Sequence, residues 1–380
     1  MATRNVGSWE APKGPSVRDL GGEVGVAGSV ARMAKVGVRL GRVALAASLL
    51  APVGSACSSA QRPRDMVGDR RLREQDAGAY ADAASNVPEP PPVTVQPVVT
   101  GKRPRVLARA TSRALAIDAA NIYFGNSDDD GVYVVPKQGG EPTRLARRAP
   151  VAGAIAVDAT SISWIASPGD AVLRLGLHDG GQPVTLRDRG IFSDVATADG
   201  EVFITEAFGA GGALLRVTGP TAARLASFDG APRAVMADST HAYVITPTKI
   251  FRTTHAKGNL ETIATGNAFG YPQIDDAFVY VVADVSGTRV VARVPKAGGP
   301  MTTLARDVRD APIEVEGADV LYLDATRTQL LAVPKVGGVP RVVIDDEAFA
   351  GVTAIVADPT TVFVATGARE SGVVLAVDRR

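Results

Sequence analysis

Short apolar runs, rather than long amphipathic stretches, dominate the chain from residue 103 onward. A typical run, Ile122-Tyr123-Phe124, combines β-branched and aromatic residues, and Gly, Asp or Pro separates one run from the next. This pattern is typical of short β-strands joined by tight turns. No stretch shows the period of about 3.6 residues that marks an amphipathic helix, so the sequence predicts an all-β fold.

One unit recurs along the chain at intervals of 40, 40, 40, 39, 41 and 40 residues. The recurring segments are LAIDAANIYFG (115–125) and its counterparts at 155–165, 195–205, 235–245, 274–284, 315–325 and 355–365. A second element, VPKxGG, follows the third strand-like run in several units, and its glycine pair supplies the positive φ of a tight hairpin. Four strand-like runs in each unit indicate the blades of a β-propeller.

The two ends of the array complete each other. The last unit, residues 355–380, stops after three strand-like runs, whereas RPRVLARA (103–110) matches the fourth-strand sequence TRLARRA (143–149). We therefore expect a strand near residue 105 to complete the last blade, which removes the exposed sheet edges that an open array or sandwich would leave. Six full units and one shared unit predict a seven-bladed β-propeller over residues 102–380.

Composition and charge narrow the functional classes. The 41 basic and 40 acidic residues give a net charge of +1, which gives no reason to expect a nucleic-acid partner. The 40 glycines and 25 prolines suit many turns. A single cysteine excludes a disulfide within the chain, and three histidines limit metal and acid–base chemistry.

The segment 33–56 has the pattern of a secretory signal peptide. Basic residues precede the apolar run 43–53, which is shorter than the roughly 20 residues of a membrane span. The small residues after this run lead directly to Cys57 and resemble the lipobox of bacterial lipoproteins, in which lipid is attached to the cysteine thiol. That family prefers Leu three residues before the cysteine, where this chain has Gly54. The alternative is an ordinary secretory signal cleaved near Ala56.

The lipoprotein resemblance implies an organisation for the first hundred residues. Met33 would be the true start, and residues 1–32 a mis-annotated extension. Residues 57–101 include NVPEPPPVTVQP (86–97), whose prolines favour an extended, disordered tether over a packed core. The protein would then be lipid-anchored at Cys57 in the bacterial cell envelope, facing the periplasm or the surface; secretion is the alternative.

The repeat differs from several well-marked propeller classes. It has no WD40 signature, no kelch glycine pair after the second strand, no sialidase Asp-box and no tryptophan repeat of quinone-dependent dehydrogenases. Over residues 103–380 it is similar to the NHL and TolB-like propellers of the bacterial envelope. This resemblance is specific for the fold and implies little about function.

Two groups of carboxylates suggest cation sites, each with a simpler interpretation. Asn126, Asp128 and Asp130 follow the spacing of the first half of an EF-hand calcium loop, but the twelfth position is Lys137 instead of the bidentate Glu. An Asp-rich hairpin turn needs no metal. A second set recurs after the first strand of the units: Asp118, Asp158, Asp238, Asp275 and Asp358. Such residues could ring a channel, but an Asx turn explains them more simply.

Catalytic chemistry has little support in the sequence. The three histidines, His178, His241 and His255, fall at different positions of their units and do not converge on one face. We therefore predict no catalytic residues, no metal and no cofactor.

The loops between the fourth and first strands and between the second and third strands form the face at which propellers usually bind. Its aromatic residues are Phe192, Phe208, Phe228, Phe269, Tyr271 and Phe349, and its arginines are Arg148, Arg189, Arg233 and Arg309; Glu206, Asp284 and Glu370 add acidic groups. Aromatic residues and arginine are enriched in interface hot spots. The alternative is that the phenylalanines fill gaps between blades.

Three functions fit these observations. The first is a non-enzymatic binding module for a protein or another envelope partner. The second is a lyase or lactonase-like hydrolase with a divalent ion at the channel mouth, which two carboxylates and a histidine converging on the channel would favour. The third is a scaffold within a larger assembly.

Overall fold

The structure, a computed structural model, describes residues 104–166, 170–177, 181–218, 221–256, 258–326, 328–367 and 372–379. The predicted extension, signal peptide and tether lie outside these residues, as do Cys57, His178 and Glu370. The described residues form strands β1 to β28 and one short 3-10 helix, Glu347–Gly351. No helix in this part of the chain is long and apolar enough to cross a membrane.

The strands form seven four-stranded antiparallel sheets, which are the predicted blades. Blade 1 contains β2 (Leu115–Ile117), β3 (Asn121–Asn126), β4 (Gly131–Pro136) and β5 (Thr143–Ala146). Blade 2 contains β6 (Val151–Val157), β7 (Ser161–Ala166), β8 (Ala171–Gly176) and β9 (Val184–Asp188). Blade 3 contains β10 (Phe192–Ala198), β11 (Glu201–Phe208), β12 (Gly211–Thr218) and β13 (Thr221–Asp229).

The second half of the ring continues the same order. Blade 4 contains β14 (Ala234–Ala237), β15 (His241–Ile245), β16 (Lys249–Thr254) and β17 (Glu261–Thr265). Blade 5 contains β18 (Asn267–Ile274), β19 (Phe278–Val285), β20 (Thr288–Pro295) and β21 (Thr302–Arg306). Blade 6 contains β22 (Glu314–Glu316), β23 (Asp319–Leu323), β24 (Gln329–Pro334) and β25 (Arg341–Asp345). Blade 7 contains β26 (Val352–Ala357), β27 (Thr361–Thr366), β28 (Val373–Asp378) and β1 (Arg105–Arg109).

Blade 7 closes the ring as the matching ends predict. Strand β1 pairs antiparallel with β28, and Arg105 lies opposite Ala376 and Arg109 opposite Val373. The guanidinium of Arg105 also donates to the carbonyl oxygen of Gln138 in blade 1, at 2.7 Å. The expected closure and the count of seven blades are therefore confirmed.

The hydrophobic core lies between the blades. Each of the seven buried clusters combines apolar residues of two neighbouring blades. Trp164 and Ile165 show how this arises, because successive strand residues face opposite sides of the sheet. Trp164 packs toward blade 1 and Ile165 toward blade 3. Every blade thus depends on both neighbours.

The strand directions give the ring two distinct faces. We call the face at the amino ends of the innermost strands the upper face, where the fourth-to-first loops and the second-to-third hairpins lie. The opposite face, with the first-to-second and third-to-fourth turns, is the lower face. The innermost strands of all seven blades line a central channel of about 900 Å³.

Candidate functional site

The recurring aspartates lie in the lower-face turns. Asp238 shows the common arrangement, because its Oδ1 accepts hydrogen bonds from the amides of Thr240 and His241, both at 2.8 Å. Equivalent amide bonds form at the other members of the set, Asp118, Asp158, Asp275 and Asp358. The Asx-turn interpretation is confirmed.

Three of these aspartates also join neighbouring blades through the lysine of VPKxGG. The ion pairs are Lys137–Asp358 at 3.2 Å, Lys296–Asp238 at 2.7 Å and Lys335–Asp275 at 3.2 Å. Burial by itself would raise the pKa of each of these carboxyls, but hydrogen bonds from the turn amides, from neighbouring hydroxyls such as that of Tyr280 and from the lysines together outweigh it and lower the pKa. We call these pairs the lower-face clips. They explain why the lysine recurs, whereas the Asx turn explains the recurrence of the aspartate.

The loop with calcium-like spacing is held by its own hydrogen bonds. Asn126 Oδ1 accepts from the amides of Thr111 and Asp128, both at 3.2 Å, and Asp128 Oδ2 accepts from the Thr111 amide at 3.3 Å. Asp130 adopts a left-handed conformation, with φ of 53°. Among the residues that the structure describes, no group of three or more His, Cys, Asp and Glu side chains is placed to hold a metal ion.

The two described histidines, His241 and His255, both lie at the lower face of blade 4, so the expectation that the histidines share no face is wrong for these two. His241 Nδ1 is 2.8 Å from the hydroxyl of Thr240. The ring of His255 packs on Phe203 with a centroid separation of 4.6 Å, and its Nδ1 is 3.8 Å from Glu201. Neither histidine is among the described residues that line the channel.

The predicted aromatic cluster divides into buried and exposed members. Phe192, Phe228, Phe269 and Phe349 are buried between neighbouring blades. The gap-filling alternative describes these four side chains, which a partner at the surface cannot contact. Phe208 and Tyr271 remain 43% and 39% exposed on the upper face.

The predicted arginines also take different places. Arg148 and Arg189 are exposed in upper-face loops, each in a left-handed conformation. Arg233 lines the channel at its upper end and donates to the carbonyl oxygen of Phe269 at 3.0 Å. Arg309 is half-buried and contributes positive potential at Tyr271.

Tyr271 stands at the centre of a charged cluster that bridges blades 4, 5 and 6. Its hydroxyl donates to the carbonyl oxygen of Asp310 at 3.4 Å, and Arg289 forms an ion pair with the Asp310 carboxylate at 3.2 Å. Burial and the negative charge of Asp310 raise the pKa of the Tyr271 hydroxyl, while Arg233, Arg289 and Arg309 act against that rise. With Arg113, which lines the same end of the channel, these residues form the channel mouth.

The backbone beneath Tyr271 is strained. Strand β18 changes register on both sides of Gly270, and Ala268 and Tyr271 adopt positive φ of 53° and 49°. Arg233 and Arg289 hold this bulge by donating to the carbonyl oxygens of Phe269 and Ala268, each at 3.0 Å. Because such strain concentrates at functional sites, the bulge marks the channel mouth as a candidate site.

Two carboxylates lie deeper in the channel wall, and the sequence interpretation missed both. Asp194 accepts hydrogen bonds from the amides of Val195 and Val235, each at 2.9 Å, and burial raises its pKa to about 7. Glu314 accepts from the amide of Ala357 at 3.4 Å, and burial raises its pKa to about 8. Each carboxylate therefore joins its innermost strand to that of the next blade.

The repeat itself held the signal for Asp194. Four other units place alanine at the equivalent position, 40 residues apart or a multiple of 40: Ala114, Ala154, Ala234 and Ala354. The residue immediately before this position, at the rim of the channel, also differs between units. Arg113 and Arg233 stand where other units have Gly153, Ser193 and Thr353. Departures from the repeat thus mark the residues at the channel.

The channel mouth and the channel wall below it carry different chemical groups. The mouth presents arginines around an exposed aromatic ring, and the wall below combines apolar residues with polar ones such as Asp194 and Glu314. Asp194 and Glu314 already accept amide hydrogen bonds, and the described channel lining contains no histidine to act with them. The two carboxylates and one histidine that would favour an enzyme are not brought together among these residues.

Comparison with known proteins shows similarity at the level of the fold. No protein-family model matches the chain, and no curated protein sequence matches it. An oligogalacturonate lyase in complex with manganese superposes with a TM-score of 0.57 at 10% identity, over 72% of this chain and 90% of that one. YCF48 bound to D1 peptide gives 0.57 at 12%, over 75% and 99%. The WD40 propeller domain of Doa1 gives 0.56 at 12%, over 72% and 97%.

Proposed function

We propose that the chain is a non-enzymatic binding module that holds a polypeptide partner on its upper face, centred on the channel mouth. The observation that carries this proposal is the cluster of Arg233, Arg289 and Arg309 around Tyr271 on the strained β18 bulge. Arginine and tyrosine are the residue types that dominate interface hot spots. An exposed aromatic ring held by a rigid scaffold can bind with little loss of side-chain entropy.

The exposed residues of blade 3 extend this surface. Phe208 and Ile191 are 43% and 68% exposed, and the hydrogen bond from the Ala207 amide to the Ile191 carbonyl oxygen brings their segments together. Arg224 lies over the Phe208 ring, 5.3 Å from its centroid. A partner that contacts both blades would cover an apolar ridge and the charged mouth, as a core and rim do in known interfaces.

We further propose that lipid at Cys57 anchors the protein in a bacterial envelope. Strand β1 begins at Arg105, beside the lower-face turn of blade 1, so the preceding chain joins the propeller at its lower edge. The upper face then lies opposite the attachment point. Metabolic labelling with palmitate tests the anchor: the wild type should take up label and fractionate with membranes, and Cys57→Ser should do neither. Unchanged labelling of the variant would refute it.

Site-specific photocrosslinking of the full-length chain in its native cells tests the binding function. A benzophenone amino acid replaces Phe208 on the upper face or, as the matched control, Val336, which is 83% exposed on the lower face. We expect one polypeptide to crosslink from position 208 and not from 336. Equal crosslinking from both positions, or none from 208, would contradict the proposal, as would hydrolysis of a lactone or ester by the purified chain.

A further inference from the structure

We propose that the channel mouth selects an acidic polypeptide segment, with its carboxylates held by Arg113 and Arg233 and an apolar side chain seated in the channel between them. The inference rests on the proposed binding function and specifies the chemistry of the partner. It follows from the charges at the mouth, the lining below it and the size of the channel.

The charge at the mouth is positive where a ligand would enter. Asp310 is already paired with Arg289, at 3.2 Å. Arg233 uses Nη1 for the Phe269 carbonyl oxygen, and a guanidinium has five N–H donors, so donors remain for a ligand. Arg113 is exposed on the opposite side of the channel, in blade 1. Two arginines at one opening suit carboxylates, which accept paired N–H donors.

Below the mouth, apolar and polar residues share the channel wall. The partly exposed apolar residues of this lining include Ile117, Val157, Met236 and Val356. The volume of about 900 Å³ lies within the range of known ligand pockets, roughly 300–1,000 Å³. An apolar side chain flanked by acidic residues would therefore bury its hydrocarbon in the channel and leave its neighbours at the arginines.

The deeper carboxylates do not oppose such a ligand strongly. Burial raises the pKa of Glu314 to about 8, so it carries little negative charge at pH 7. Asp194 directs its oxygens at the amides of Val195 and Val235. The positive charge of the mouth thus remains effective at neutral pH.

Isothermal titration calorimetry with the full-length chain tests the inference at pH 7. The probe is an end-blocked peptide of four glutamates around one central leucine; the matched controls replace the glutamates by glutamine or the leucine by glycine. We expect the acidic peptide to bind with an affinity that falls as salt rises, and both control peptides to bind at least tenfold more weakly. Failure of the acidic peptide to bind, or equal binding of the glutamine peptide, would overturn the inference.

Variants locate the site. Arg113→Ser and Arg233→Ser introduce the residue that blade 3 carries at this position, Ser193, and the double variant should lose at least tenfold in peptide affinity. Arg147→Ser, an exposed arginine on the upper face of blade 1 outside the channel lining, should bind like the wild type. Equal affinity of the double variant and the wild type would overturn the assignment.

Two further results separate this inference from the proposed function. If the upper face crosslinks a partner but the acidic peptide does not compete for it, the binding function stands and the acidic segment is wrong. If the acidic peptide binds at the mouth and no partner crosslinks from the upper face, the acidic specificity of the mouth stands and the proposed binding function is wrong. Binding of an acidic oligosaccharide such as tetragalacturonate at the mouth, without binding of the peptide, would refute a polypeptide ligand.

Discussion

The lower face and the channel mouth differ in how they use the repeat. On the lower face, the same aspartate and lysine recur from unit to unit and make the same inter-blade contacts, as in Lys296–Asp238 and Lys335–Asp275. At the mouth, Arg113 and Arg233 stand where three other units have Gly153, Ser193 and Thr353, and Tyr271 lies on a strand bulge with positive φ. Residues shared by the units hold the ring together, and the exceptions to the repeat are therefore the better candidates for function.

Phe269 and Tyr271 test this difference within one strand. They are two residues apart in β18, but Phe269 packs in the core between blades and Tyr271 lies at the channel mouth. Phe269→Ala should lower the free energy of unfolding by about 3–5 kcal/mol, since it empties a fully buried position between blades 4 and 5. Tyr271→Ala, at a side chain 39% exposed, should cost about 1 kcal/mol or less. Urea unfolding measures both, and equal losses would remove the distinction.

Asp194 departs from the repeat yet also joins two blades. It therefore tests whether an exception to the repeat can also stabilise the ring. Its folded-state pKa of about 7 exceeds the ordinary 3.8, so its ionisation costs stability in the folded state. Its contribution is therefore complete below pH 4 and is lost as pH rises through 7. Relative to Asp194→Ala, the wild type should lose on the order of 2 kcal/mol between pH 5 and 8. If the free energies of unfolding of the wild type and Asp194→Ala changed in parallel between pH 5 and 8, this prediction would be wrong.

Breaking one lower-face clip should have a smaller effect. Lys296→Met removes the partner of a partly buried carboxylate and should lower the free energy of unfolding at pH 7 by about 1–2 kcal/mol. Because the folded-state pKa of Asp238 is lowered, this stability is fully present above about pH 4, the unfolded-state value, and is lost progressively as pH falls from there through the lower folded-state pKa. The deficit of the variant should therefore shrink in acid. A double-mutant cycle with Asp238→Asn separates the pair from the single side chains.

The arginines of the mouth should matter least for stability. Arg113→Ser with Arg233→Ser should change the free energy of unfolding by about 1 kcal/mol or less, since Arg113 is exposed and Arg233 gives up one hydrogen bond to a carbonyl oxygen. Thermal unfolding of the double variant beside Lys296→Met measures this. If the double variant lost more stability than Lys296→Met, the arginines of the mouth would serve mainly to stabilise the fold.

The sequence allowed prediction of the features that each unit repeats. The strand runs, the glycine-pair hairpins, the Asx turns and the closing strand all follow from local chemistry or from the period. The lower-face clips do not, because Lys137 and Asp358 meet only after the ring has closed. Their recurrence was visible, but their pairing depends on which turns become neighbours.

The binding face was predictable as a region and less so residue by residue. The sequence predicted the aromatic residues of this face in loops, whereas all of them except Phe349 lie in the adjoining strands. The choice between core and surface depends on the direction in which one side chain leaves its strand. Phe349 and Phe208 illustrate the two outcomes. The β18 bulge was not foreseen, because left-handed backbone at Ala268 and Tyr271 goes against residue preference and depends on arginines from other strands.

The most direct test compares the partner affinity of two variants once crosslinking has identified the partner. Arg113→Ser with Arg233→Ser represents the mouth, and Lys335→Met represents the lower-face clips. We expect the arginine variant to lose at least tenfold in affinity with a nearly unchanged free energy of unfolding, and the lysine variant to keep its affinity with a lower free energy of unfolding. Wild-type affinity in the arginine variant, together with loss of binding in the lysine variant, would contradict this expectation.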